Sequence, residues 1–156
     1  MSRAFVRESD EERGALPERA VSTHPNFVTP RGLAAIEARV QELTAERQAA
    51  RAQEDAALRA RVERDLRYWN ARRASARLVE PVAAAAADRV RFGMRVTLLL
   101  GDGARQEFRL VGEDEADAAH GLLSWVSPLG QSLLGRQAGE SVSFQGGEAE
   151  IVSIEP

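Results

Sequence analysis

TPRGLAAIEARVQELTAERQAARAQEDAALRARVERDLRYWNARRASARLVEP, residues 29–81, decides the fold. Leu33, Ile36, Val40 and Leu43 fall three, four and three residues apart, one stripe down a helix. Leu58, Val62, Leu66, Trp69 and Ala76 make a second stripe. Folded antiparallel, the stripes bring Leu43 to Leu66, Val40 to Trp69 and Leu33 to Ala76. These pairs share a pivot at Glu54 and Asp55, which also sets Ala50 opposite Leu58 and Arg47 opposite Val62. The spacing predicts an antiparallel helical hairpin, a coiled coil, with two carboxylates at its tip.

The ends of the stretch carry the matching signals. Thr29 is a good N-cap, and Pro30 at the first helical position gives up only an amide that has no helical partner. The first helix is expected to run to about Ala52, roughly 33 Å at 1.5 Å per residue. Gln53, Glu54 and Asp55 make the turn. The second helix runs from about Ala56 to Leu78, and Glu80-Pro81 ends it because a residue before proline avoids the helical region.

Outside the hairpin the chain divides into an arm, a linker and a globule. Residues 1–28 read as an extended or disordered arm, polar over Ser9–Gly14 and broken by Pro17 and Pro25. Its apolar hooks are Phe5, Val6, Leu16, Val21 and Phe27, and docking through Phe27 on a partner or on the hairpin base is the functional alternative. Residues 82–88 are an alanine-rich linker. In 89–156, Val90, Phe92, Met94, Val96, Leu98 and Leu100 alternate as in a half-buried strand. Gly101-Asp102-Gly103 turns into a return strand over Gln106–Val111, and an acidic loop, 112–117, follows. Leu122–Val126, Ser141–Phe144 and Ala149–Ile154 complete the strands, the last two joined at Gly146-Gly147. A short helix starts at Pro128 and stops at Gly135. The fold class is α+β: a helical hairpin, then a small antiparallel sheet with one short helix.

Composition excludes several functions. With no cysteine there are no disulfides and no thiolate metal sites. Every cation other than histidine is arginine, which rules out a Schiff-base lysine and a P-loop. There is no apolar run long enough for a membrane span and no signal-peptide pattern, so a cytoplasmic protein is expected. Residues 29–87 hold 11 Arg against 8 acids, whereas 88–156 hold 6 Arg against 11 acids. An acidic globule is a poor partner for DNA, and no stable binding of naked DNA is expected.

The second helix concentrates Arg59, Arg61, Arg64, Arg67, Arg72, Arg73 and Arg77 against only Glu63 and Asp65. They form either a solvated face, paired with Glu37, Glu42 and Glu46, or a contact surface for an acidic partner. Trp69 belongs to the stripe, with Tyr68 at its edge. His24 and His120 have no ligand-like spacing to other candidates and read as ordinary surface residues.

Specific motifs lie in the globule. Val111-Gly112-Glu113-Asp114-Glu115-Ala116-Asp117, Ser124-Trp125-Val126-Ser127-Pro128-Leu129, Leu133-Leu134-Gly135 and Ala138-Gly139-Glu140 resemble, in this order, the C-terminal domain of the GreA/GreB transcript-cleavage factors. Thr29-Pro30-Arg31-Gly32-Leu33 resembles the opening of that family's N-terminal coiled coil. The resemblance covers residues 29–156. It implies an FKBP-like globule that grips the rim of the RNA polymerase secondary channel, with the hairpin entering the channel. It implies polymerase contact through Asp114, Glu115, Asp117, Ser127 and Pro128. It also implies a mechanism in which acids at the hairpin tip help hold the second, weakly bound Mg²⁺ of the polymerase while extruded RNA is hydrolysed. The chemistry belongs to the polymerase, and the factor has no metal or cofactor of its own.

The chain departs from the family at the tip. The family's Asp-Leu-x-Glu-Asn-Ala-Glu-Tyr-like run is absent, and the nearest acids, Glu54 and Asp55, are adjacent. The hairpin is also about two turns per arm shorter, a shortfall near ~11 Å, whereas metal coordination works at about 2 Å. The expectation is a monomeric, non-enzymatic regulator that occupies the channel. The alternative is a cleavage factor acting through Glu54 and Asp55. A peptidyl-prolyl isomerase would need an aromatic-lined pocket from Phe92, Phe108, Trp125 and Phe144, which the core itself requires. A coiled-coil adaptor that dimerises or binds nucleic acid is the remaining class.

Overall fold

The computed structural model describes residues 16–156. Phe5, Val6 and the charged run after them lie outside that range. The elements in order are β1 (Phe27–Val28), α1 (Pro30–Ala52), α2 (Ala56–Ser75), β2 (Arg77–Leu78), β3 (Arg95–Leu100), β4 (Arg105–Val111), β5 (Leu122–Ser124), α3 (Pro128–Leu133), β6 (Ser141–Phe144) and β7 (Gly147–Glu155). They fall into two compact units. Of the described residues, one takes 16–22 and 37–74; the other takes 23–36 and 75–156. No helix among the described residues is long and apolar enough to cross a membrane.

The first unit is built on the two stripes. Val40 and Leu43 of α1 and Val62 and Leu66 of α2 are buried in one cluster, with Leu58 and Trp69 packed against it. Burying an aliphatic side chain contributes roughly 1.5–3 kcal/mol, so this seam holds the pair together. The charges around it differ from expectation. Glu42 pairs with Arg39 of its own helix, and Arg51–Glu63 links α1 to α2 at 3.7 Å. Glu37 and Glu46 have no ion pair among the described residues. Arg72 leaves the expected solvated face altogether, since it is only 1% exposed. Residues 16–22 run along α2, where Glu18 pairs with Arg67 at 2.6 Å.

The second unit is a five-stranded sheet in the order β5-β4-β3-β7-β6. It is mixed, which corrects the expected all-antiparallel sheet: β4 and β5 pair in parallel, Arg109 with Leu122 through Val111 with Ser124. The reason is the connection. After β4 the chain makes a loop with a 3-10 turn at Ala118–His120, and so re-enters beside β4 running the same way. The first strand also starts later than its alternation suggested. Gly93 adopts φ +86° and its N–H bonds the Leu110 carbonyl at 2.8 Å, so Val90 and Met94 are buried from a turn rather than from a strand. The β6–β7 hairpin turns at Gln145 and Gly146, both with positive φ, one residue before the expected Gly146-Gly147.

The core of this unit is Val90, Val96, Leu98, Leu110, Leu133, Val142, Ala149 and Ile151. Phe108 and Phe144 flank it with ring centroids 5.8 Å apart. Both rings are partly buried and packed against this cluster. The alanine-rich segment contains a 3-10 turn at Ala84–Ala86.

Candidate functional site

Three places carry the residues singled out from sequence: the turn between the helices, the acidic loop after β4, and the start of α3. At the turn, Glu54 closes α1 in the left-handed region, φ +55°, and its N–H reaches the Arg51 carbonyl at 3.2 Å. Asp55 then starts α2: its carboxylate accepts the Leu58 N–H at 3.0 Å, the N-cap arrangement. Both acids are exposed. One is thus used as a helix stop and the other as a helix start. Among the described residues no group of three or more His, Asp or Glu side chains is placed to hold a metal ion.

The acidic loop turns toward the chain's own backbone. Thr29 is the N-cap of α1, accepting the Gly32 N–H on its hydroxyl at 2.9 Å. The same hydroxyl donates to Glu115 at 2.6 Å. The Glu115 carboxylate therefore lies over the first turn of α1, where an anion is favoured by the helix dipole. Gly112 lets the loop approach: a Cβ there would lie 2.4 Å from the carbonyl oxygen of Phe27. Asp117 accepts the Ala119 N–H at 3.2 Å, capping the 3-10 turn, and pairs with His120 Nδ1 at 2.6 Å. His120 is thus an exposed residue that is hydrogen-bonded to Asp117 and does not stand alone. Its hydrogen bond holds the Asp117 carboxyl below the ordinary aspartate range.

Ser127 and Pro128 form the start of α3. The Ser127 hydroxyl accepts the Gly130 N–H at 3.1 Å and donates to the Ser124 carbonyl at 2.7 Å. Pro128 occupies the first helical turn and is exposed. Just before it, Trp125 faces Phe27 with centroids 5.2 Å apart, and Phe27 also meets Phe92 at 6.0 Å. His24 lies edge-on to Trp125 at 6.1 Å. The segment leading into α1 is therefore fixed by a two-residue parallel β1–β2 ladder, by aromatic packing and by Thr29. The sequence offered one usable signal for this, the aromatic Phe27 between two prolines. The Thr29–Glu115 bond had none.

A cavity of about 280 Å³ opens beside this region, lined among others by Thr29, Arg31, Glu80, Arg109, Glu115 and Leu122. Its lining includes no aromatic side chain, so it lacks what a proline-isomerase pocket would need.

Residues 85–156 match the family model described as transcription elongation factor, GreA/GreB, C-term. The chain is 38% identical over 98 residues to transcription elongation factor GreB of Neisseria meningitidis (strain Z2491), covering 60% of each chain. It is 38% identical over 84 residues to transcription elongation factor GreA of Alkalilimnicola ehrlichii, covering 52% of this chain and 53% of that one. The chain thus spans 60% or less of the length of these relatives. Among solved structures, GreA factor homolog 1 of Thermus thermophilus superposes with a TM-score of 0.40 at 23% identity, over 85% of this chain and 100% of that one. Residues 85–156 are thus a C-terminal domain of the GreA/GreB family of transcription elongation factors.

Proposed function

We propose that this chain regulates bacterial RNA polymerase by docking its FKBP-like C-terminal domain on the rim of the secondary channel and inserting the helical hairpin. It occupies the channel and competes with other channel-binding factors, without lending metal-binding carboxylates. The observation that carries the reading is the family match over residues 85–156. The non-cleaving version is supported by the turn, where Glu54 and Asp55 terminate and start helices and, among the described residues, no metal-holding group of three carboxylates forms. In the rim contact, Asp114, Asp117 and Pro128 face arginine or lysine side chains of the polymerase, while Glu115 and Ser127 hold the loop and α3 in shape. The protein acts as a monomer and is not itself an enzyme.

The second reading is a cleavage factor, favoured by the exposure of both Glu54 and Asp55 at the turn. There the polymerase's own Mg²⁺ would do the chemistry.

Co-migration of the full chain with the cognate polymerase on gel filtration tests the docking. The parent is expected to co-elute, and a variant with Asp114→Arg and Asp117→Arg to bind at least tenfold more weakly. Free elution of the parent at micromolar concentration contradicts the proposal.

A further inference from the structure

Residues 16–22 and the outer face of α2 make a matched pair of surfaces. Arg67 grips the Glu18 carboxylate with two of its nitrogens, Nε at 3.0 Å and Nη2 at 2.6 Å. One residue on, the Arg19 guanidinium lies over the Tyr68 ring, 3.9 Å from its centroid, and 5.6 Å from that of Trp69. Arg19 also reaches Asp65 at 3.6 Å. A carboxylate followed by a guanidinium on the segment thus meets a guanidinium, then a ring and a carboxylate, on the helix. The contact is polar and open: Glu18 and Arg67 side chains are 61% and 56% exposed. Leu16 and Val21 flank it without being buried. Such a contact is held by charge and stacking and not by a hydrophobic seal, so water and salt can compete for it.

We infer that this face of α2 is a docking surface for an extended peptide segment in which a carboxylate side chain precedes an arginine, and that residues 16–22 occupy it in cis as a displaceable clasp. The charge pattern selects the partner. A nucleic acid would bring phosphate to Arg67 but would also bring it against Asp65, which lies on the same face and accepts cations from Arg19 and Arg64. A peptide with both signs satisfies both groups. Tethering keeps the cis segment at high effective concentration, so an external segment binds only when the clasp is weakened or the partner is itself held nearby.

The test uses the full-length chain. Tyr68 is the single tyrosine, so its nitration by tetranitromethane reports whether the face is covered. Glu18→Arg places two guanidinium groups together and is expected to raise the nitration rate at least threefold. The charge swap Glu18→Arg/Arg67→Glu returns it toward the parent. A fluorescein-labelled peptide of residues 14–24 is then titrated at low salt. Binding at least tenfold tighter to the Glu18→Arg variant than to the parent, and lost in the charge swap, supports the inference. An unchanged nitration rate overturns the clasp. An uncovered Tyr68 with no gain in peptide binding overturns the docking surface. Tighter binding of a single-stranded RNA oligonucleotide than of the peptide overturns the choice of partner.

Discussion

Thr29 donates its hydroxyl to Glu115 at 2.6 Å, a bond between residues 86 positions apart in sequence. One side chain caps α1 and holds the acidic loop. Thr29→Ala removes both contacts and leaves a half-buried carboxylate without its donor. Stability is expected to fall by about 1–2 kcal/mol, read as a lower denaturant midpoint with unchanged slope. Thr29→Ser should recover most of the loss. A Thr29→Ala variant as stable as the parent would show that the bond is incidental.

Gly112 sets how near the loop comes to the segment before α1. A Cβ at this position would meet the Phe27 carbonyl at 2.4 Å, and a backbone atom cannot move aside cheaply. Gly112→Ala is expected to cost about 1–3 kcal/mol, the range for overpacking. It should also alter near-ultraviolet dichroism, because Phe27 packs against Trp125. Neither effect appearing would mean that the loop is free to shift.

Glu54 carries a left-handed backbone at the turn, at a cost of roughly 1 kcal/mol for a residue with a Cβ. Glu54→Gly should therefore raise stability by about 0.5–1 kcal/mol, seen in the thermal midpoint. A drop would indicate that the Glu54 side chain contributes a contact that outweighs the strain.

Acid sensitivity follows from two carboxylates. A hydrogen bond from Arg67 holds Glu18 below the ordinary glutamate range, and one from His120 does the same for Asp117. Each binds a proton less readily folded than unfolded. Their stabilisation is complete above the ordinary carboxylate pKa and is lost as pH falls through the lowered value. Glu18→Gln should flatten the decline in stability between about pH 5 and about pH 3, and Glu18→Gln/Arg67→Gln should flatten it no further. Both groups are exposed, so the slope is modest and weakens with salt. An identical acid profile for parent and Glu18→Gln would discount the pair.

The seam of the helix pair was legible because burial repeats every three to four residues, and Val40, Leu43, Val62 and Leu66 obey that period. Capping was legible as well, since Thr29 and Ser127 act through neighbours three residues away. Strand direction was not: nothing within Leu122–Ser124 encodes that it runs parallel to β4. Arg72 was also opaque, because in sequence it looks like its exposed neighbour Arg73. The acids of the loop read as solvent-facing, while Glu115 finds its donor at a distant point of the chain. Long-range polar contacts leave no periodic trace, and here they shape the residues nearest the candidate site.

The most direct measurement follows RNA length in a stalled, backtracked elongation complex of the cognate polymerase, with Mg²⁺, on adding the full chain. A variant with Glu54→Ala and Asp55→Ala runs beside it. The account predicts no shortening of the RNA by either protein at concentrations where the parent co-migrates with polymerase, and inhibition of cleavage by an added authentic cleavage factor. Shortened RNA with the parent and none with the variant would contradict it and restore Glu54 and Asp55 to a metal-holding role.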